Sequence, residues 1–334
     1  MDNALPEISV APMMDWTDRH CRYFLRLIAP NVRLYTEMVT TGALLRGDTE
    51  RFLRFDASEH PVALQLGGSN PEDMAKAAAL GAAAGYDEIN INCGCPSDRV
   101  QSGFFGACLM GEPARVAACV KSMKAATDVP VTVKCRIGID EQDSFEFLED
   151  FICASADVGC ETFIIHARKA WLSGLSPKQN RDVPPLDYDR CAALKEKYPH
   201  LRIILNGGIT TMAQIEQERP RFDGFMIGRE AYQNPYFMAE IERKIFGNHV
   251  IMGRIKIARA MIPYAAAQAE KFGTPVKSIT RHMMGLFHHQ AGAKAWRRGL
   301  STYPYEDGAN ESVIEKALAD LEASAASARE VKAS

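Results

Sequence analysis

The sequence predicts an α/β protein, a (β/α)8 TIM barrel followed by a small all-helical C-terminal domain. Three observations carry that expectation. Eight short apolar, β-branched runs, most of them followed by a helical pattern, fall within about 245 residues, the count and length of such a barrel. No G-x-G-x-x-G follows the first strand, where a doubly wound dinucleotide fold would place it. From about residue 251 the strand signals stop.

In order, the strand candidates are 8–13, 33–39, 62–66, 88–92, 131–136, 162–168, 202–205 and 224–227. Helical patterns at 18–28, 71–84, 113–127, 144–156, 187–197, 211–218 and 235–246 follow all but the second, whose link is the least regular. Beyond them 251–272, 278–290 and 292–299 read as helices, and 311–331, rich in Ala and Glu, as a last helix that frays at its end. The expected domains are therefore a barrel over 1–246 and a helical domain over 247–334. No fixed-period repeat or low-complexity linker interrupts them.

The 334 residues are 47% hydrophobic and 24% charged, which excludes collagen-like, disordered and coiled-coil classes. No stretch reaches the roughly 18–20 apolar residues of a membrane helix. The first ten residues lack the basic and apolar regions of a secretory signal. Nine irregularly spaced cysteines, several inside apolar runs, fit buried free thiols in a reducing cytoplasm. A net charge of −3 hides an asymmetry: residues 251–300 hold nine Lys/Arg and one acid, or +8, against −11 elsewhere. Such a run on an acidic chain points to a polyanion partner, with a solvated helical face as the plainer reading.

Active sites of this architecture lie at the C-terminal strand ends, and strand side chains alternate with period two. Asn90 and Asn92 share a face in the fourth strand, Lys134 and Arg136 in the fifth, His166 and Arg168 in the sixth. Gln65 ends the third strand and Glu37 the second, while the seventh runs into Asn206-Gly207-Gly208 and the eighth into Gly228-Arg229. Adjacent strands ending in polar residues on a consistent face read as a ligand-lined mouth. The glycines at the last two ends let backbone N–H groups approach a phosphate, with Arg229 supplying charge. The Lys, His and Gln suit a flavin mononucleotide better than a phospho-sugar. A lysine beside its pyrimidine edge stabilises the reduced ring, Gln65 can hydrogen-bond that edge, and Pro12, Met13 and Met14 offer an apolar shelf or a plain core turn.

After the fourth strand comes Asn92-Cys93-Gly94-Cys95-Pro96, continuing into a glycine-punctuated stretch, 101–107, suited to a lid. No second Cys pair or His cluster completes a metal site, so no metal is expected. A Cys–His nucleophile is conceivable, but a thiol above a flavin has the simpler role of general acid.

Asn92-x-Gly94-Cys95-Pro96, Lys134-x-Arg136, His166-Ala167-Arg168, Asn206-Gly207-Gly208 and Gly228-Arg229 together resemble the tRNA-dihydrouridine synthases. The stretches 92–110, 165–187 and 281–287 resemble the bacterial A subfamily, and the resemblance runs from about residue 8 to 300. It implies FMN at the barrel mouth, NADPH as electron donor, and reduction of the C5=C6 bond of D-loop uridines at positions 20 and 20a of tRNA. Cys95 would then protonate C5. Lys134, His166 and Gln65 would hold the flavin ring over Pro12 to Met14, with Asn206 to Gly208 and Gly228-Arg229 on its phosphate. Asn92 and Arg168 would contact the uracil. The tRNA-orienting signature falls on Lys178, Arg181, Lys294 and Arg297, with Arg298 beside the last. Cys93 fills the variable slot of the Cys motif, two residues from the implied acid, so crosstalk between the thiols is expected if the segment is extended. A folded RNA substrate would explain the +8 segment, since phosphate neutralisation dominates RNA affinity and a stacked base must be extruded to react. The chain is expected to act as a cytoplasmic monomer. Two rivals remain: an FMN barrel acting on a free pyrimidine, and a non-catalytic RNA-binding protein.

Overall fold

Eight parallel strands close in sequence order into one barrel: β1 (Glu7–Val10), β2 (Arg33–Thr40), β3 (Val62–Gly67), β4 (Glu88–Cys93), β5 (Val131–Arg136), β6 (Thr162–His166), β7 (Arg202–Asn206) and β8 (Gly224–Ile227). The closing pair runs from Glu7 beside Gly224 to Val10 beside Ile227. The computed structural model describes residues 5–97 and 103–333, with side chains to residue 328. Residues 98–102 lie outside the described residues, and with them the first two positions, 101 and 102, of the expected lid at 101–107.

Several helices start one residue later than the patterns suggest, because the first polar residue is the cap. Asp18, Ser144, Asp187 and Thr211 each accept a hydrogen bond from a backbone N–H of the first turn; each satisfies a donor the helix cannot. The helices Pro71–Ala83 and Pro113–Ala126 carry proline in the first turn, where its missing N–H costs nothing.

The alternation of each strand divides the buried surface in two. Ile89, Ile91, Cys93, Val133, Cys135, Phe163 and Ile165 are fully buried at one parity. At the other, one side of the barrel interior is apolar, a cluster of Ala11, Tyr35, Ala63, Ile164, Ile204 and Met226 with Met13 against it. The other interior side, on β3, β4 and β5, is polar.

Three strand ends depart from expectation. β1 stops at Val10, short of Pro12. β6 stops at His166: Ala167 N–H still reaches Asn206 O at 2.9 Å, but Arg168 N–H turns back to His166 O at 2.7 Å, so Arg168 lies beyond the strand. Glu37 does not end β2. The β2–β3 register breaks between Tyr35 and Met38, and Glu37 Oε1 there accepts Asp15 N–H, holding the turn after β1.

By backbone proximity the chain forms two compact units, one of residues to Asp15 plus Val32–Gly228, the other of Trp16–Asn31 plus Arg229–Ser334. The second thus takes in the helix Arg19–Ile28 and residues 229–246, which the sequence reading grouped with the barrel. Its other helices are Arg229–Gln233, Phe237–Lys244, Arg254–Phe272, Val276–Thr280, Ala293–Thr302 and Val313–Ala333. No described helix is long and apolar enough to cross a membrane.

The expected helix 278–290 is not continuous. Val276–Thr280 gives way to a tight turn at Arg281–Met283 and then to irregular turns. Tertiary contacts override the local pattern. Trp296 Nε1 donates to Met283 O at 3.0 Å, and a Cβ at Gly285 would lie 2.5 Å from Gln233 O, so the backbones meet where helix would have to run. Arg281 and His282 are held by Asp18, whose Oδ2 lies 2.8 Å and 3.0 Å from their nitrogens.

Burial opposes ionisation of Asp18, but the hydrogen bond and charge of His282 outweigh it and hold the carboxyl well below its usual range. A depressed carboxylate stabilises the fold above its unfolded pKa of about 4, and that contribution is lost as pH falls below it. Asp18→Ala, which removes both a cap and the partner of His282, is expected to cost about 2–3 kcal/mol in urea denaturation at pH 7. Asp18→Asn, which keeps the cap and loses the charged pair, should cost less; equal losses would show that the cap contributes nothing, and an Asn variant as stable as wild type that the pair with 281–282 contributes nothing.

Candidate active site at the barrel mouth

The ladder brings the singled-out residues of adjacent strands together. Gln65 pairs with Asn90, Asn92 with Lys134, Arg136 with His166, and His166 with Asn206. Lys134 Nζ donates to Asn206 Oδ1 at 3.0 Å, so the two meet across the intervening β6, and Asn206 Nδ2 is anchored on Met226 O at 2.8 Å.

The Cys loop is shaped by Asn92. Its Oδ1 accepts the N–H groups of Gly94 (3.1 Å) and Cys95 (3.0 Å), and its Nδ2 donates to Gln65 Oε1 at 2.8 Å. The chain turns there, separating the two thiols. Cys93 is the last residue of β4, completely buried beside Cys135, and burial pushes its thiol far above the ordinary range. Cys95, half-buried beyond the turn, points its thiol toward Ser97 Oγ at 3.6 Å. The extended geometry that would align them is absent, and Cys93 is too hard to ionise to compete.

Around this turn the barrel is cationic. Withdrawal from water lowers the Lys134 pKa to about 8, with Arg136 adding repulsion. Burial likewise lowers Arg136 to about 10 and pushes His166 well below its normal range, helped by Arg136 and Lys134. Among the described residues no carboxylate lies within ion-pair distance of Lys134 or Arg136. Two adjacent part-buried or buried cations without an acid suit an anionic ligand.

Arg136 forms no ion pair among the described residues and is held instead by main-chain carbonyls. Its Nε donates to Gly94 O (2.9 Å), and its NH1 to Lys169 O (3.0 Å) and Asn180 O (2.9 Å). One guanidinium therefore fastens the Cys95 turn to the loop after β6. Within that loop the fully buried Asn180 exchanges hydrogen bonds with the backbone of Trp171 at 2.8 and 2.9 Å. Sequence reasoning missed Asn180, although its place between the singled-out Lys178 and Arg181 was visible. Those two are exposed on the same loop. Arg168 NH1 donates to Pro184 O, again within this loop.

Gly207 and Gly208 follow β7 with φ of 110° and 70°, and a Cβ on Gly207 would lie 2.6 Å from His166 Cδ2, so only glycine fits against that ring. A Cβ on Gly228 would meet nothing within 4 Å, leaving open space beside the β8 end. Arg229 begins the next helix, in the second unit. Of the proposed shelf, Pro12 and Met13 are partly buried, whereas Met14 is 55% exposed.

Within the helical unit the basic excess is divided. Arg259 pairs with Glu315 at 2.8 Å, Arg281 with Asp18, and Arg254 stacks over Tyr236 at 3.7 Å. Lys294, Arg297 and Arg298 are exposed on one face of Ala293–Thr302, spaced i, i+3, i+4, while Trp296 and Leu300 fill the buried face. None of the three forms an ion pair among the described residues.

A closed parallel barrel with a thiol-bearing turn beside two cations that pair with no carboxylate among the described residues frames the candidate active site of a barrel enzyme. The chain belongs to the dihydrouridine synthase family, whose profile matches residues 9–322. It is 55% identical over 316 residues to the tRNA-dihydrouridine(20/20a) synthase of Vibrio cholerae serotype O1, covering 94% of this chain and 96% of that one. With the Escherichia coli K12 protein of the same name the identity is 56% over 312 residues, 93% and 90% of the two chains. Among solved structures, a 2-naphthoyl-CoA reductase complex superposes with a TM-score of 0.54 at 11% identity, covering 70% of this chain and 49% of that one, a likeness of fold alone.

Proposed function

We propose that this chain reduces the C5=C6 bond of uridines in the tRNA D-loop, at positions 20 and 20a, with FMN as cofactor and NADPH as electron donor. The observation that carries the reading is the pair of cations, Lys134 and Arg136, beside the Cys95 turn, neither ion-paired with a carboxylate among the described residues, in a chain of the dihydrouridine synthase family. The residues present fit a flavin mononucleotide. Lys134 stands ready for an anionic ring edge, Gln65 and Asn92 each keep an N–H without a partner among the described residues, and Gly207, Gly208 and Gly228 present backbone without side-chain bulk. His166 is held neutral by burial and can serve as a donor or acceptor without adding charge.

When bound and reduced, FMN supplies the hydride for C6 of the uracil. Cys95 holds the proton for C5, and the Asn92 hydrogen bonds keep its backbone turned out of β4. Lys134 would hold the anionic edge of the reduced cofactor and stabilise its charge. Lys178 and Arg181 on the loop after β6, and Lys294, Arg297 and Arg298 on the helical unit, offer exposed cations to RNA phosphates. We assign the chain to the cytoplasm, acting as a monomer.

Mass-spectrometric mapping of dihydrouridine in tRNA incubated with the protein and NADPH tests the reading. Reduction at 20 and 20a is the expected result, and turnover of free uracil or UMP with inert tRNA would replace it with the free-pyrimidine rival. Binding supplies an independent check. Replacing Arg297 and Arg298 by Gln should weaken tRNA about tenfold and reduce the slope of log K against log salt by about 1.5. An unchanged slope would put the RNA on another surface.

A further inference from the structure

The polar side of the barrel interior holds a file of hydrogen bonds that runs from Asn92 and Gln65 down to Glu88, whose lower members the chemistry above does not use. Thr132 Oγ1 donates to Glu88 Oε1 at 2.6 Å, Asn90 Nδ2 to Thr132 Oγ1 at 2.8 Å, and Gln65 Nε2 to Asn90 Oδ1 at 2.8 Å. Asn92 Nδ2 then donates to Gln65 Oε1, and Asn92 Oδ1 accepts from Cys95 N–H. All five side chains are buried. Tyr35 OH, on a side branch, donates to the same Glu88 oxygen at 2.5 Å, and Arg33 Nε lies 3.5 Å from the other.

The direction of the file is imposed from both ends. A carboxylate only accepts, so Thr132 must donate to Glu88 and take its own bond from Asn90. A backbone N–H only donates, so Asn92 must turn its carbonyl toward Cys95 and its amide nitrogen toward Gln65. The two requirements meet at Gln65 and Asn90 without conflict, which leaves no amide free to reverse. Barrel interiors of this class are usually filled by branched apolar layers, and a buried polar network is tolerated only when every member is satisfied.

We propose that Glu88 is a positioning residue, which through Thr132, Asn90 and Gln65 orients the Asn92 amide and thereby holds the Cys95 turn in its working conformation. Cut the file, and Asn92 is oriented from the Gly94 and Cys95 N–H groups alone, so Gln65 and Asn90 lose the anchor that braces the turn from below. The role of Cys95 in this statement rests on the dihydrouridine reading; the file and its control of the turn do not.

Thr132→Val breaks one link at constant volume and leaves the carboxylate in place, Thr132→Ser restores the hydroxyl, and Tyr35→Phe removes an equal donor from Glu88 outside the file. Should Thr132→Val not fold, Thr132→Ala breaks the same link with less bulk. The first readout is alkylation of Cys95 in the flavin-loaded protein by iodoacetamide across pH, mapped to the residue by fragmentation. Thr132→Val should change the rate at least fivefold and displace its pH midpoint, with Thr132→Ser and Tyr35→Phe within about twofold of wild type. The second is kinetic: turnover of tRNA should fall about tenfold in Thr132→Val while reduction of the bound flavin by NADPH changes less than about twofold. Unchanged alkylation in Thr132→Val, an equal change in Tyr35→Phe, or an equal loss of both half-reactions overturns the proposal. If wild type leaves tRNA unmodified while Thr132→Val still alters Cys95 alkylation, the dihydrouridine reading falls and the positioning role stands.

Discussion

Cys95→Ala is expected to retain flavin and tRNA binding and to lose dihydrouridine formation by about 10³-fold, near 4 kcal/mol of transition-state stabilisation. The thiol is the half-buried group beyond the Asn92 turn, whereas its neighbour Cys93 is sealed inside the barrel wall. Deleting the sulfur should therefore leave C5 without a proton donor while leaving β4 and its contacts unchanged. Single-turnover experiments separate the steps: reduction of the bound flavin by NADPH should proceed at the wild-type rate, and its reoxidation by tRNA should stall. Cys93→Ala should alter stability rather than reoxidation, the cost being a small cavity of about 1–2 kcal/mol. Normal reoxidation in Cys95→Ala would move the acid elsewhere.

Lys134→Met should weaken flavin retention by about 10–100-fold, the loss of one charge-assisted hydrogen bond in a site withdrawn from water. Its effect on the cofactor-free protein has the opposite sign. Burial holds the Lys134 pKa at about 8, below the 10.5 of an exposed lysine. Between those values the unfolded chain binds more protons than the folded one, so the Lys134 contribution makes stability rise with pH there. Below pH 8 the folded chain carries a charge it would rather release. At pH 7 the cofactor-free Lys134→Met variant should therefore be the more stable by about 1–2 kcal/mol, an advantage that shrinks as pH climbs from 8 toward 10. Denaturation curves of both proteins at pH 7, 8, 9 and 10 measure the difference directly. A gap that stays constant would mean that Lys134 does not titrate in this window.

The barrel and its polar face were legible because strand alternation is a local property: Asn90 with Asn92, and Lys134 with Arg136, follow from counting by two. The same count carried two residues further back reaches Glu88 and Thr132, so the interior file was within reach of sequence reasoning, although its hydrogen-bond partners were not. Arg136 shows why. Its three acceptors are main-chain carbonyls of residues 94, 169 and 180, which carry no side-chain signature and become neighbours only when the barrel closes. Local pattern failed for 278–290 for a related reason. Residues Arg281 to Gly285 have adequate helical periodicity, but Asp18, Gln233 and Trp296 claim their side chains and backbone from distant points of the chain. Strand ends at Val10 and His166 were overrun because apolar and polar residues continue in phase after the ladder stops.

The Arg136 guanidinium also makes two loops into one cooperative unit. Opening the loop after β6 strips two acceptors from a buried cation, and opening the Cys95 turn strips the third, so neither can loosen alone without raising the free energy of the other. Fluctuations of the two segments are thereby correlated through a single side chain. A ligand that immobilised Lys178 and Arg181 on one loop would lower the entropy still to be lost on the other, so under the proposed function part of the ordering of the Cys95 turn would precede entry of the base.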